Sequence, residues 1–367
     1  MKLKITIPFA LSLSLMACDV IEDSHDQLRD IEIPQSVDSV KSVSLGRCAA
    51  EEDGLTLGHV SHDDEQNVLY FDGSSVVVQR KDRELAWLSL DSMEDNIQVI
   101  PNAQTQAIHW MDGRRTGMVE YISGEEHHLS VHNGRDRIHA KRIKMAEPMW
   151  DVKGLVVSPN GNWILPTQFF TFNRVIQMAH MKSGRTVKVE TSLDGANQAM
   201  FLDNETFLVA GSVNWSGLGV EIKDVNHPDE TIATWMYEDR RCGSPGQILS
   251  LEQSPNGKSI LVSGELYGNG FIALLDSATL EEKAIVYDLD WSVQNALFID
   301  ENTVASVGTS VRFWDAQTME EKRSIELDGW ASDAVMMEES LLLVDSEGDL
   351  LKLECADQEA LLEGRER

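Results

Sequence analysis

Apolar and polar side chains alternate along most of this chain, and the alternation recurs in a repeated unit. Each unit has an apolar strand, a tight polar turn, a second apolar strand, a short loop and a third strand. The clearest copies begin at Leu249 and Gln294. A period of two is typical of β-strands with one buried face, and helical spacing is not sustained anywhere. The pattern predicts an all-β fold built from repeats.

A polar turn between the first two strands marks every unit. Asn, Asp and Gly suit such turns because they tolerate left-handed backbone, and Pro presets the first turn angle. Successive turns are spaced by about 40 to 50 residues, which matches one four-stranded propeller blade. The seven predicted turns are His62-Asp63-Asp64, Asp112-Gly113, Ser158-Pro159-Asn160-Gly161, Asp203-Asn204, Ser254-Pro255-Asn256-Gly257, Asp300-Glu301-Asn302 and Glu338-Glu339.

The segment from Leu249 to Leu327 resembles the WD-repeat propellers. Its turn at residues 254–258, SPNGK, stands where that family has a similar tight turn, and Trp314-Asp315 matches the family's strand-ending pair. The unit with SPNGN at 158–162 resembles the family too, so the likeness covers about half of the chain. It implies one seven-bladed β-propeller domain with four strands per blade, which we place at residues 31–363.

In such rings a strand from one terminus completes the last blade and removes the exposed sheet edges. The last unit has three clear strands and only a doubtful fourth at Ala360 to Leu362. We therefore expect an N-terminal strand to close the ring, supplied by Ile31 to Ile33 or by Val37 to Leu45.

The start of the chain has the layout of an export signal. Lys2 and Lys4 precede an apolar run from Ile5 to Leu15, which is too short to span a membrane. Leu15-Met16-Ala17-Cys18 resembles the lipobox of bacterial lipoproteins. The resemblance implies that residues 1–17 are removed and that Cys18 carries lipid; the alternative is an ordinary secretory signal with an incidental cysteine.

A lipid on Cys18 implies a membrane-tethered protein of the bacterial cell envelope. Residues 18–30, which are almost wholly polar after Cys18, then form a tether, and residues 364–367 form a short tail. Asp19 resembles the signal that retains lipoproteins in the inner membrane of enteric bacteria. The periplasmic face of the inner membrane is therefore favoured over the outer membrane.

The charge of the chain restricts its partners. A formal net charge of −30 repels phosphate backbones and anionic lipid heads, which excludes nucleic acid as a partner. Besides Cys18, the chain has Cys48, Cys242 and Cys355, so at most one internal disulfide can form. A bridge between Cys48 and Cys242 is one alternative, and three unpaired cysteines are the other.

Aromatic residues are concentrated in the loops that the repeat places at one mouth of the central channel. These loops precede the first strand of each blade or join its second and third strands. The aromatic side chains either wedge between blades as core or form a binding mouth, since indoles supply rigid contact area and a donor. The candidate mouth residues are Trp150, Trp215, Trp291, Trp330, Phe170 and Tyr267.

Metal and catalytic chemistry have weaker signals. If His128 to His132 is a strand, the two rings share a face at an expected 6.5 Å or so along it, which would need further metal ligands. We therefore expect a polar outer strand here, and neither a metal nor any other cofactor. Motifs of nucleophilic, phosphate-binding and metalloprotease sites are absent, so no catalytic residue is assigned.

Two classes of function remain. The first is a non-catalytic platform that binds another envelope protein or a ligand through the aromatic mouth. The alternative is an envelope hydrolase or lactonase of the propeller type, with carboxylates and a histidine lining the channel. Local motifs do not distinguish the two classes, because such channel residues come from scattered blades.

Overall fold

Seven antiparallel sheets of four strands make up the described part of the chain. The computed structural model describes residues 56–59, 67–71, 75–79, 85–89, 95–98, 107–112, 115–122, 127–133, 138–146, 152–168, 174–213, 217–237, 246–266, 268–289, 291–327, 329–337, 340–345 and 349–354. The first strand of each sheet contacts the first strands of two neighbouring sheets, and these contacts close into one cycle. The sheets therefore form a ring of seven blades around a central channel, as predicted.

Within each blade the strands lie in chain order from the channel outward, except that the last blade takes its outer strand from the N-terminal side. Blade 1 has β2 (Asn67–Phe71), β3 (Ser75–Gln79), β4 (Leu85–Ser89) and β5 (Asp95–Gln98); blade 2 has β6 (Ala107–Asp112), β7 (Arg115–Ile122), β8 (His128–Asn133) and β9 (Ile138–Lys144); blade 3 has β10 (Val152–Val157), β11 (Trp163–Gln168), β12 (Val175–His180) and β13 (Thr186–Glu190). Blade 4 has β14 (Gln198–Phe201), β15 (Thr206–Val213), β16 (Gly217–Asp224) and β17 (Thr231–Tyr237); blade 5 has β18 (Gln247–Gln253), β19 (Ser259–Leu266), β20 (Asn269–Asp276) and β21 (Glu282–Leu289). Blade 6 has β22 (Asn295–Asp300), β23 (Thr303–Val307), β24 (Ser310–Asp315) and β25 (Glu321–Glu326); blade 7 has β26 (Ala331–Met337), β27 (Ser340–Asp345), β28 (Asp349–Glu354) and β1 (Thr56–His59).

An N-terminal strand closes the ring, but not from either predicted segment. β1 pairs antiparallel with β28, with Thr56 opposite Leu351 and His59 opposite Asp349. Residues 31–33 and 37–45 lie outside the described residues. The closing strand directly precedes the inner strand of blade 1, because the chain needs only a short link to pass from one blade to the next.

Because the closing strand lies at residues 56–59, the first predicted turn is also wrong. Residues 62–64 lie outside the described residues, and in the chain they fall between β1 of blade 7 and β2 of blade 1. The first two strands of blade 1, β2 and β3, are instead separated by residues 72–74. The other six predicted turns are confirmed in position, since each falls where the first two strands of its blade meet. Residues 113, 338 and 339 themselves lie outside the described residues.

Local chemistry explains the two SPNG turns. Ser254 Oγ donates to Asn256 Oδ1 at 3.0 Å and accepts from the N–H of Ser259 at 2.9 Å. Gly257 has a φ of 71°, in the left-handed region that suits glycine. The turn at residues 158–161 repeats this arrangement, with the Ser158 hydroxyl donating to Asn160 at 2.9 Å.

The hydrophobic core lies between blades, in layers that each join two neighbouring sheets. On β15, Leu208 and Ala210 belong to the layer shared with blade 5, whereas Phe207 and Val209 belong to the layer shared with blade 3. All five residues of β23 are buried. The expected single buried face is therefore wrong for the middle strands, because a neighbouring blade covers each face of the sheet.

One charged pair is buried between blades 3 and 4. Lys223 Nζ lies 3.0 Å from Glu221 Oε2, and both side chains are 2% exposed. Lys223 also donates to the carbonyl of Glu190 and to Thr231 Oγ1, each at 2.6 Å. Glu221 accepts from the Thr191 hydroxyl at 3.0 Å and from the backbone N–H of Ser192 at 2.8 Å. The pair thus has its hydrogen bonds satisfied from both blades.

None of the described segments is a helix with the length and apolar content that a membrane crossing requires.

Candidate binding face

The inner strands of neighbouring blades run in the same direction, which brings equivalent loops together at one end of the ring. Ala296 N–H donates to Ser250 Oγ and Phe298 N–H donates to Glu252 Oε2, each at 3.0 Å. Both partners advance by two residues along β18 and β22, as parallel strands require. The loops that enter each inner strand, and those between second and third strands, therefore share one end, which we call the mouth face.

Further hydrogen bonds from side chains join the inner strands of neighbouring blades around the channel wall. The Gln198 amide of blade 4 donates to the carbonyl of Leu249 in blade 5 at 2.7 Å. The Asn295 amide of blade 6 donates to the carbonyl of Ala334 in blade 7 at 2.9 Å and also to Asp333. Polar side chains of the inner strands therefore connect neighbouring blades by hydrogen bonds. This role was not predicted from the sequence, because the partners lie 38 or more residues apart.

Two candidate mouth residues lie on this face with their side chains exposed. Trp291 stands in the loop between blades 5 and 6 and is 71% exposed; Trp330 stands in the loop between blades 6 and 7 and is 36% exposed. Neither indole is a core wedge, which was the alternative expectation. Trp150, Trp215, Phe170 and Tyr267 lie outside the described residues, as do Cys18, Cys48, Cys242 and Cys355.

The backbone holds Trp291 in a strained conformation. Its φ is 64°, in the left-handed region that side chains with a Cβ seldom adopt. The Trp291 carbonyl packs against Gly270, where a Cβ would come within 2.3 Å of the carbonyl oxygen. Two residues on, Val293 N–H donates to the carbonyl of Gly264 at 3.1 Å. The loop that carries the indole is therefore held against β19 by a hydrogen bond and against β20 by close packing.

An ion pair joins two further loops of the mouth face, between blades 3 and 4. Asp194 Oδ1 accepts from Arg174 Nε at 3.1 Å and from Arg174 Nη2 at 2.9 Å. The Asp194 N–H also donates to the carbonyl of Ser212 at 2.9 Å. Sequence reasoning missed this pair, because no local pattern connects two loops of different type.

Comparisons with known proteins agree with this architecture. No protein-family model matches the chain, and no curated protein matches it. Among solved structures the chain is similar to the crystal structure of the C-terminal WD40 domain of Sif2, with a TM-score of 0.59, 13% sequence identity and coverage of 84% of each chain. The fold is a seven-bladed β-propeller. Because 1449 chains of solved structures match this propeller, the fold by itself selects no function.

A small cleft opens on the mouth face of the propeller beside Trp291. Ser292, Gly308, Thr309 and Arg312 line part of it, and the space inside it is about 10 Å³. A cavity needs about 10 to 15 Å³ to hold one water molecule. The cleft is therefore too small to enclose a small molecule or a side chain.

In the described part of the channel wall, one carboxyl has a strongly raised pKa. Burial of Glu252 raises its pKa to about 8, although the hydrogen bond that it accepts from the Phe298 N–H by itself lowers the pKa. Glu252 is thus largely protonated at neutral pH. Its oxygen still accepts the backbone hydrogen bond between blades 5 and 6.

His128 and His132 do lie on one strand, β8, as the sequence predicted. The expected spacing of 6.5 Å is wrong, because four residues at about 3.3 Å each put their Cα atoms about 13 Å apart along the strand. The expectation of a polar outer strand is also wrong, because β8 lies between β7 and β9 as the third strand of blade 2 and residues 128–131 are buried. Among the described residues, no group of three or more His, Cys, Asp or Glu side chains is arranged to hold a metal ion.

Proposed function

We propose that this propeller is a non-catalytic interaction platform that binds another protein of the bacterial cell envelope through its mouth face. The observation that carries the proposal is the exposure of the Trp291 and Trp330 indoles there. Tryptophan is enriched among the residues that dominate binding energy at protein interfaces. Exposed indoles also supply rigid apolar contact area and a hydrogen-bond donor to a partner.

Two acidic side chains in the described part of the channel wall support the platform over the hydrolase class. Glu252 accepts a hydrogen bond from the inner strand of blade 6, and Asp333 accepts from Asn295 across blades 6 and 7. Each of these groups thus connects neighbouring blades. A catalytic carboxylate would instead be directed toward a substrate in the channel.

We further propose that lipid on Cys18 holds the platform at the periplasmic face of the inner membrane, with residues 18–30 as a tether. The lipobox resemblance and Asp19 support this location. A multiply acylated cysteine anchors stably, because each buried methylene contributes about 0.8 kcal/mol. The net charge of −30 would otherwise keep the protein away from anionic lipid heads.

Labelling with radioactive palmitate tests the anchor. The wild-type protein should incorporate label and sediment with inner membranes on a density gradient. Cys18→Ser should lose the label and the membrane association together. Sedimentation of the wild type with outer membranes would overturn the inner-membrane location alone, and an unlabelled wild type would overturn the lipid anchor.

Cross-linking in intact cells, followed by purification in detergent, tests the platform. The wild type should retain a defined envelope protein, and the double variant Trp291→Ala/Trp330→Ala should lose it. Ile232→Ala is the matched control, because Ile232 is a large exposed apolar residue near the opposite end of a blade. Equal recovery with all three proteins would show that the mouth face is not the binding surface.

A further inference from the structure

Large exposed apolar side chains are concentrated near the mouth face in the described part of the chain. The outer strand of each of blades 1 to 6 runs toward this face, because it leads into the loop that enters the next inner strand. Met236 is next to last in β17, and Tyr287 is two residues from the end of β21. Both are exposed, at 36% and 49%, and Trp291 and Trp330 stand in the loops themselves.

These four residues follow one another around the rim of the ring. Met236 belongs to blade 4, Tyr287 to blade 5, Trp291 to the loop between blades 5 and 6, and Trp330 to the loop between blades 6 and 7. We call this set the rim arc. Its composition is that of an interface core, in which Trp, Tyr and Met are enriched over other surface residues. Ile232 is the one further large exposed apolar residue described, and it lies near the opposite end of β17.

The partner of the rim arc can be deduced from charge. The chain has 61 acidic and 31 basic side chains. A second copy would bring the same charge excess to the contact and be repelled, as would anionic lipid heads. A basic partner is attracted over long range, which raises its association rate.

Indole rings add a local preference for the same partner. The face of a tryptophan ring attracts the ammonium of lysine or the guanidinium of arginine, by about 0.5 to 2 kcal/mol. In the sequence, Asp290 directly precedes Trp291, and Asp328 precedes Trp330 by two residues. Two indoles with acidic sequence neighbours, on an acidic protein, suit cationic side chains in a way that neutral or acidic side chains do not.

We propose that the rim arc of blades 4 to 7 binds an extended, lysine- or arginine-bearing segment of a partner protein. The proposal rests on the interaction platform proposed above and names the chemical class of the partner. The partner's aliphatic stems cover Met236 and Tyr287, and its cationic groups lie over the indoles of Trp291 and Trp330.

Titration of the full chain in a non-ionic detergent tests this proposal. The probe is a fluorescent peptide of alternating lysine and glycine, and the matched probes carry acetyl-lysine or glutamate in place of lysine. The lysine peptide should bind about tenfold more tightly than the acetyl-lysine peptide at low salt, and binding should weaken as salt rises. Trp291→Ala should weaken lysine-peptide binding about fivefold to tenfold, with smaller losses for Trp330→Ala and Tyr287→Ala.

Ile232→Ala is again the control and should bind the lysine peptide like the wild type. Wild-type affinity in all three rim-arc variants would mean that diffuse charge attracts the peptide, and would overturn the rim arc as its site. Failure of the lysine peptide to bind, or equal binding of the acetylated or glutamate peptide, would overturn the cationic class. The platform itself would survive that result if cross-linking still captured a partner that depends on Trp291 and Trp330.

Light scattering of the detergent-solubilised protein tests whether a second copy of this chain binds the rim arc instead. A monomer is expected at all salt concentrations. If the wild type is a dimer and Trp291→Ala is a monomer, the rim arc binds a second copy of this chain, and the partner proposed here is wrong.

Discussion

Glu221 and Lys223 are stable in the interior only as a pair. Replacing Glu221 with alanine leaves the Lys223 ammonium buried between blades 3 and 4 without its carboxylate. We expect the free energy of unfolding in urea to fall by about 3–5 kcal/mol. The double variant Glu221→Leu/Lys223→Met removes both charges and should lose far less. Equal losses in the single and double variants would show that packing, and not the uncompensated charge, sets the cost.

The same pair makes stability sensitive to acid. Burial by itself would raise the pKa of Glu221, but hydrogen bonds from Ser192 and Lys223 outweigh burial and lower the pKa below its usual 4.5. The contribution of Glu221 is therefore present above pH 4.5 and is lost as the pH falls through its folded-state pKa. Urea unfolding on the acid side of pH 4.5 should show a smaller gap between the wild type and Glu221→Gln than unfolding at neutral pH.

Glu252 has the opposite dependence on pH. Its pKa is raised from 4.5 to about 8, so its carboxyl stabilises the fold fully below pH 4.5 and progressively less as the pH rises to 8. Glu252→Gln keeps an oxygen for the Phe298 N–H and cannot ionise. We expect the stability of the Gln variant relative to the wild type to increase across this pH range in urea titrations. A difference independent of pH would contradict the shifted pKa.

At the scale of elements, close backbone contact between β20 and the following loop positions the Trp291 indole. A Cβ on Gly270 would lie 2.3 Å from the Trp291 carbonyl oxygen and 2.8 Å from Val293 Cγ2. Gly270→Ala should therefore displace the loop and cost about 1–3 kcal/mol of stability. The change should also alter Trp291 fluorescence and weaken lysine-peptide binding.

Gly154→Ala is the matched control for this loop. Among the described residues, its Cβ would meet only the Thr167 hydroxyl, at 3.1 Å. A small shift of that side chain relieves the contact, so this variant should bind the lysine peptide like the wild type. Wild-type fluorescence and peptide binding in Gly270→Ala would show that the loop tolerates displacement without moving the indole.

The elements themselves were largely predictable from local chemistry. Six of the seven turns lie where Asn, Asp, Gly and Pro predicted them, because these residues act on their own backbone. Trp314 was matched to a family motif, and the structure shows its indole donating to Ser306 Oγ at 2.9 Å within blade 6. That hydrogen bond connects two neighbouring strands and was not visible from the motif alone.

At the scale of the whole molecule, ring closure depends on four residues. β1 (Thr56–His59) covers the outer edge of β28. Deleting residues 56–59 should expose that edge, lower the urea midpoint and promote aggregation, measurable by light scattering. Deleting residues 31–33 or 37–45, the segments predicted to close the ring, is the matched comparison and should leave the midpoint near that of the wild type. The reverse ranking would overturn the assignment of β1 as the closing strand.

The candidate site was predictable only in outline. Counting repeats was enough to place Trp291 and Trp330 in loops of the mouth face. Their exposure was not predictable, because an indole in such a loop can equally pack between blades. Met236 and Tyr287 were missed, since they stand on outer strands whose alternation resembles that of other strands in the chain.

The sequence by itself determined the strands, six turns, the number of blades and the acidic surface, because each follows from side chains acting on neighbouring backbone or from simple summation of charge. Tertiary structure alone decided which strand closes the ring, which strands are buried on both faces, and which aromatic side chains face solvent. These depend on what packs against a residue from another blade. In this ring the contacting residues of neighbouring blades lie some 20 to 50 residues apart along the chain.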